Sequence, residues 1–125
     1  MKLPSSFLEI RRIDNEYNVG YELYKNGKRI GEVYYDDGWV YNLLIYDKVN
    51  RKKGYGRLLM NILLSEFGHK KIELLADGDD ECYFSNKDLV NFYRSLGFTG
   101  HIIENGGGVM MERKKGRLKS YKFKI

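Results

Sequence analysis

The sequence predicts an α+β fold: a mixed, mostly antiparallel sheet carrying two main helices, in one domain spanning residues 1–125. Two dipeptides, Asn26-Gly27 and Asp37-Gly38, separate strand-like runs. They are the pairs that two-residue hairpins prefer, because both positions tolerate positive φ. Two later segments instead carry apolar residues at helical spacing: Leu58, Leu59, Ile62, Leu63 and Phe67, then Leu89, Val90, Phe92, Tyr93 and Leu96. At 125 residues with 42% hydrophobic content, the chain supports one core and is too short for two.

The elements follow in order. Phe7, Ile10 and Ile13 fit a first strand or a short helical turn. Tyr17, Val19, Tyr21 and Leu23 alternate with Asn18, Gly20, Glu22 and Tyr24, the period of a strand. Arg29–Tyr35 lies between the two hairpin turns and forms the middle of a meander. Trp39–Tyr46 is nearly continuously apolar, which suggests a central strand. A helix is expected from about Arg57 to Phe67, closed by Gly68 at its C-cap. Ile72–Ala76 reads as a short buried strand and residues 77–81 as an acidic loop. Ser85 or Asn86 caps a second helix, with Asp88 favourable in its first turn and Gly97 as its stop. Phe98–Ile103 and Val109–Glu112 are strands joined by the Gly-rich turn 105–108. In the tail, Tyr121, Phe123 and Ile125 alternate with Lys122 and Lys124, a strand able to pair with a second copy. Monomer and homodimer both stay open.

Composition narrows the class. No apolar run approaches the roughly 20 residues that span a bilayer, and Met1–Ser6 lacks a signal peptide's apolar core. The single Cys82 forms no internal disulfide, and no Cys/His cluster has metal-ligand spacing, so no metal is expected. The reading is a cytoplasmic protein. The net charge of +5 is uneven: residues 113–125 carry seven Lys or Arg and no acid, while the other 112 residues sum to −2. That basic extension is either a solvated strand edge protected by lysines or a surface for nucleic acid or another acidic partner.

The chemistry concentrates at Arg51-Lys52-Lys53-Gly54-Tyr55-Gly56-Arg57. A strand, a basic Gly-x-Gly turn and a helix start together make a device for holding a pyrophosphate. The glycines let backbone N–H groups approach the anion, and the helix N-terminus adds orphan donors and the positive end of its dipole.

The chain resembles the GNAT superfamily of N-acetyltransferases, in a compact phage or bacterial form. That family's acyl-CoA motif, Arg/Gln-x-x-Gly-x-Gly/Ala, stands here as Arg51-Lys52-Lys53-Gly54-Tyr55-Gly56. Its later motif stands as Asn86, Tyr93 and Gly97-Phe98. The two occur in the expected order, and the likeness covers roughly residues 17–112. Compact phage-encoded acetyltransferases, one of them an anti-CRISPR protein, are similar at Ser85, Asp88, Leu89, Phe92 and Tyr93. The resemblance implies a GNAT-like sheet with a central V-shaped splay and acetyl-CoA as cosubstrate. The backbone of Leu44, Ile45 and Tyr46 would pair with the pantetheine arm. The N–H groups from Lys52 to Arg57, Tyr55 included, would hold the pyrophosphate, with charge added by Arg51, Lys52 and Lys53. Asn86 would contact the cofactor arm, and Tyr93 would protonate the departing thiolate.

The sequence departs from the family in three places. Too few residues separate the first two strands for the usual pair of helices, so the N-terminal helices are reduced or absent and the acceptor side is open. Val40 stands near the position where histone acetyltransferases keep a glutamate base. The acidic loop precedes Asn86, and within it Glu81 occupies the place where some protein N-terminal acetyltransferases hold a base. Asp36, Asp37 and Asp47 are further candidates. His69, His101 and Cys82 read as structural. The expected function is acetyl transfer from acetyl-CoA to a primary amine, on a protein or a small molecule, by direct attack in a ternary complex. The alternatives are an inactive CoA-binding module and a nucleic-acid binder acting through the tail.

Overall fold

The structure, a computed structural model, describes residues 7–77, 86–102 and 108–114. It divides into two compact units at residues 66 and 67. Among the described residues there are seven strands and two α-helices, the expected α+β class. No described helix is long and apolar enough to cross a membrane.

The first unit is a four-stranded antiparallel meander, β1 (Leu8–Asp14), β2 (Val19–Lys25), β3 (Lys28–Asp36) and β4 (Trp39–Ile45), followed by helix α1 (Tyr55–Phe67). Both predicted hairpins close with two residues at positive φ, Asn26-Gly27 and Asp37-Gly38. This left-handed pair matches the twist of the strands it joins. Of Phe7, Ile10 and Ile13, the latter two lie in a strand, Leu8–Asp14, rather than a helical turn. Only four residues link β1 to β2. Asn15 Oδ1 accepts the amides of Tyr17 at 2.9 Å and Asn18 at 3.0 Å, an Asx turn, so among the described residues no helix stands between β1 and β2.

Strand alternation gives this sheet two different faces. Tyr21, Leu23, Val33, Tyr35 and Val40 are buried on the face that receives Leu59, Met60, Leu63 and Leu64 of α1. Leu59 and Leu63 are wholly buried, each worth roughly 1.5–3 kcal/mol of transfer free energy. A polar brace closes the same side. Arg12 Nε donates to both Glu66 oxygens at 2.7 and 3.0 Å, and the Tyr21 hydroxyl donates to the same carboxylate. Two bulges break the ladder. Ile30 is the extra residue of β3 against β2, and Asn42, at φ 52°, lies in the bulge of β4 against β3.

The second unit comprises β5 (Ile72–Ala76), α2 (Asn86–Ser95), β6 (Thr99–Ile102) and β7 (Val109–Arg113), with strands in the order β5-β7-β6, all antiparallel. Its core holds Ile72, Leu74, Ala76, Tyr93, Phe98 and Met111. Helix α2 ends in a Schellman motif: Phe98 N–H donates to Tyr93 O at 3.1 Å and Gly97 N–H to Arg94 O at 3.0 Å, with Gly97 at φ 95°.

Some boundaries differ from the sequence reading. Helix α1 begins at Tyr55, two residues before the expected Arg57, because a glycine can open a helix as well as interrupt one. Arg113, counted with the basic extension, is instead the last residue of β7. Its guanidinium donates to the carbonyls of Leu96 at 3.1 Å and Gly68 at 2.9 Å, satisfying chain ends that follow both helices. Glu81, Ser85 and the tail strand 121–125 lie outside the described residues.

Candidate active site

The segment between β4 and α1 is built by local polar bonds. After Ile45 the chain turns at Asp47 (φ 61°), makes one 3-10 turn over Lys48–Asn50, passes Lys52 at φ 59° and reaches Gly54 at φ 83°. Asn50, only 8% exposed, donates from Nδ2 to the Tyr46 carbonyl at 3.2 Å, and its amide donates to Asp47 O at 3.1 Å. A buried amide that closes the loop on itself fixes where the next residues emerge. Sequence reasoning passed over Asn50, since one asparagine in a basic run carries no periodic signal.

Gly54 opens α1: its carbonyl accepts the Leu58 amide at 3.0 Å. As N-cap it has no side chain to bond back, and the first turn holds no acidic residue. The first N–H groups of an α-helix have no partner within the helix, and here neither the residue at the N-cap nor an acidic residue in the first turn is in place to cap them. A Cβ placed on Gly54 would meet nothing within 4 Å, so the space before the helix is open. Lys52, Lys53 and Arg57 are exposed around it. Arg51 is turned differently: half-buried, it donates from Nε to the Ile45 carbonyl at 3.3 Å, bracing the loop against β4.

The three β4 positions expected to pair with a cofactor arm are not equivalent. Tyr46 N–H donates to Ile30 O at 2.8 Å. Antiparallel ladders alternate, so Leu44, paired with Glu32, also faces β3, while Ile45, paired with Gly31, turns its N–H and C=O away. Of the three, Ile45 alone keeps its amide directed off the ladder.

In the second unit, Asn86 is the first residue of α2 and half-buried. Tyr93, one turn from the other end, is 7% exposed and packs edge-on to Phe92 and Phe98, with ring centroids 5.1 and 5.8 Å apart. It is both the motif tyrosine and a core aromatic. Among the other expected acids, Asp36 and Asp37 are exposed at the second hairpin and Asp47 pairs with Lys28 at 3.4 Å.

The face of the first sheet away from α1 went unread in the sequence. It holds Glu22, Tyr24, Arg29, Glu32, Tyr34 and Tyr41, and a cleft of about 400 Å³ lies on it. Arg29 donates to Glu22 at 2.6 Å, and Tyr24 to the same carboxylate at 3.1 Å. Burial, helped by Glu32, pushes the Tyr34 phenol up, and burial with a hydrogen bond to Glu32 pushes Tyr46 up to about 12. Part of the signal was there, since Glu22 and Tyr24, and Glu32 and Tyr34, alternate with the buried set, but the two bulges break that alternation between strands.

Compared with solved structures, the chain superposes on Escherichia coli ElaA over 78% of its length and 68% of that chain (TM-score 0.61, 20% identity). It matches an acyl-CoA N-acyltransferase from Pseudomonas aeruginosa over 77% of its length and 67% of that chain (TM-score 0.59, 15% identity). A third match, a candidate streptothricin acetyltransferase from Bacillus anthracis in complex with acetyl coenzyme A, covers 80% of this chain and 62% of that one (TM-score 0.57, 16% identity). The chain has the GNAT fold. No protein-family model matches the sequence, and no curated protein does.

Proposed function

We propose that the chain is an acetyl-CoA-dependent N-acetyltransferase that acetylates a primary amine by direct attack in a ternary complex. The observation that carries this reading is the N-terminus of α1, opened by Gly54 with no acidic residue in its first turn and with Lys52, Lys53 and Arg57 exposed around it. A pyrophosphate suits a helix N-terminus of this kind, where backbone N–H groups and the positive end of the helix dipole favour an anion. In this reading Gly54, Tyr55, Gly56 and Arg57 hold the diphosphate through their backbone, Lys52 and Lys53 add charge, and Arg51 shapes the loop. The Ile45 backbone serves the pantetheine arm. Asn86 keeps its proposed contact with that arm, and Tyr93 its role as proton donor to sulfur.

The reaction needs few groups. The lone pair of a neutral amine attacks the thioester carbonyl, a backbone N–H stabilises the oxyanion, and the collapsing intermediate expels the CoA thiolate, which takes a proton. Glu81 stays a proposed base.

An inactive CoA-binding module is the second reading, favoured by the burial of Tyr93 among Phe92 and Phe98. Thermal unfolding with and without acetyl-CoA, on the native chain and on Gly54→Glu with Gly56→Glu, tests the cofactor site. Binding raises the melting temperature by mass action. A rise in the native chain that the variant lacks supports it, and no rise at millimolar acetyl-CoA sinks it. Thiol release with an amine panel then separates enzyme from module.

A further inference from the structure

The cleft on the far face of the first sheet is lined by Ile13, Asn15, Asn18, Glu32, Tyr34, Tyr41 and Asn42. All come from the β1–β4 meander, so it is complete within one unit. Tyr34 and Tyr41 lie opposite each other across β3 and β4, rings stacked with centroids 5.7 Å apart and planes 23° from parallel. The Tyr34 ring lies flat over β2 because residue 20 is glycine: a Cβ there would sit 2.5 Å from Tyr34 Cε1.

Most acceptors of this cleft are engaged, Asn15 Oδ1 by the Tyr17 and Asn18 amides and Glu32 by the Tyr34 and Tyr46 phenols, but one amide oxygen is not. Asn18 donates from Nδ2 to the Tyr41 hydroxyl, while its buried Oδ1 has no hydrogen-bond partner. The two arginines of this face are matched to their own carboxylates, Arg11 to Glu9 at 3.0 Å and Arg29 to Glu22 at 2.6 Å. Glu32 forms no ion pair among the described residues and is the cleft's ionisable carboxylate. A negative charge, two phenol rings and an unmet amide oxygen together suit a cation with N–H donors. The volume suits a small ligand or a single side chain.

We propose that this cleft binds a primary alkylammonium group, with Glu32 as counter-ion, Tyr34 and Tyr41 as its aromatic wall and Asn18 Oδ1 as an N–H acceptor. Binding here requires neither acetyl-CoA nor acyl transfer, so it stands or falls apart from the proposed reaction.

The test is titration of the full chain, without CoA, with n-butylammonium, n-butanol and n-butyrate, followed by the side-chain amide resonances of Asn15, Asn18 and Asn42. Saturable shifts are expected with the ammonium at a dissociation constant on the order of millimolar, with butanol weaker by about tenfold and butyrate silent. Glu32→Gln is expected to weaken the ammonium by about tenfold. Gly20→Ala, which keeps the charge but tilts Tyr34, should weaken it by a few-fold. Butanol or butyrate binding as well as the ammonium, an unchanged Glu32→Gln, or no saturation in the native chain overturns the proposal. Should Glu32→Gln fail to fold, the ligand series on the native chain and Gly20→Ala still decide it.

Discussion

Gly97 and Arg113 meet at the end of α2: a Cβ on Gly97 would lie 3.2 Å from the Arg113 Nε that donates to Leu96 O at 3.1 Å. Gly97→Ala therefore imposes two costs, a left-handed backbone at φ 95° and displacement of the guanidinium. The expected loss is about 1–3 kcal/mol, read from the urea midpoint at constant m. Arg113→Ala, which strands the Leu96 and Gly68 carbonyls, should cost a similar amount, and a neutral result in either variant refutes the brace.

The opening of α1 makes a different prediction. Gly54 has φ 83° but open space around its Cα, so Gly54→Ala should cost only about 1 kcal/mol of stability. In the proposed cofactor site, however, the new methyl projects toward the anion. The melting-temperature rise on adding acetyl-CoA should then shrink by more than the loss of stability explains. An undiminished rise in Gly54→Ala would move the diphosphate away from this turn.

What the sequence made legible follows from the range of each signal. Asn26-Gly27 and Asp37-Gly38 set their turns by local backbone preference, and both appear as predicted. Gly97-Phe98 stopped α2 for the same reason. The cleft was missed because it joins Asn18 of the β1–β2 link, Glu32 of β3 and Tyr41 of β4, brought together by register, and a one-residue bulge at Asn42 shifts that register without a composition cue. Arg113 was misread because charge content alone cannot tell a solvated cation from one capping a buried carbonyl.

The Arg12–Glu66–Tyr21 brace predicts an acid limit. The hydrogen bond from Arg12 is the main reason the Glu66 carboxyl is held below the usual carboxylate range, against the opposing effect of burial; the Tyr21 hydroxyl adds to it. A folded-state value below the unfolded one means that the stability is present above the unfolded value and lost as pH falls through the folded one. Glu66→Gln should therefore be less stable than the native chain at pH 7, with the gap closing below about pH 4. A gap that stays constant from neutral to acid pH would show that the charge on Glu66 contributes nothing.

Tyr46 offers a reading of Glu32 that needs no ligand. Burial is the first cause that pushes its phenol up to about 12, and the hydrogen bond and charge of Glu32 follow, with Arg29 opposing. Glu32→Gln removes the second and third causes but not the first. The phenol should then titrate lower than in the native chain yet above an ordinary tyrosine, and Tyr34 should fall with it. Ring-carbon chemical shifts against pH measure both. An alkylammonium seated beside Glu32 would act in the same direction, since a cation favours the phenolate. Saturating n-butylammonium should lower both titrations in the native chain, with a smaller effect in Glu32→Gln, where the cation is held less well. If Tyr46 titrates near 10 in the native chain, or does not respond to Glu32→Gln, Glu32 does not set the potential of this face and its role as the counter-ion fails with it.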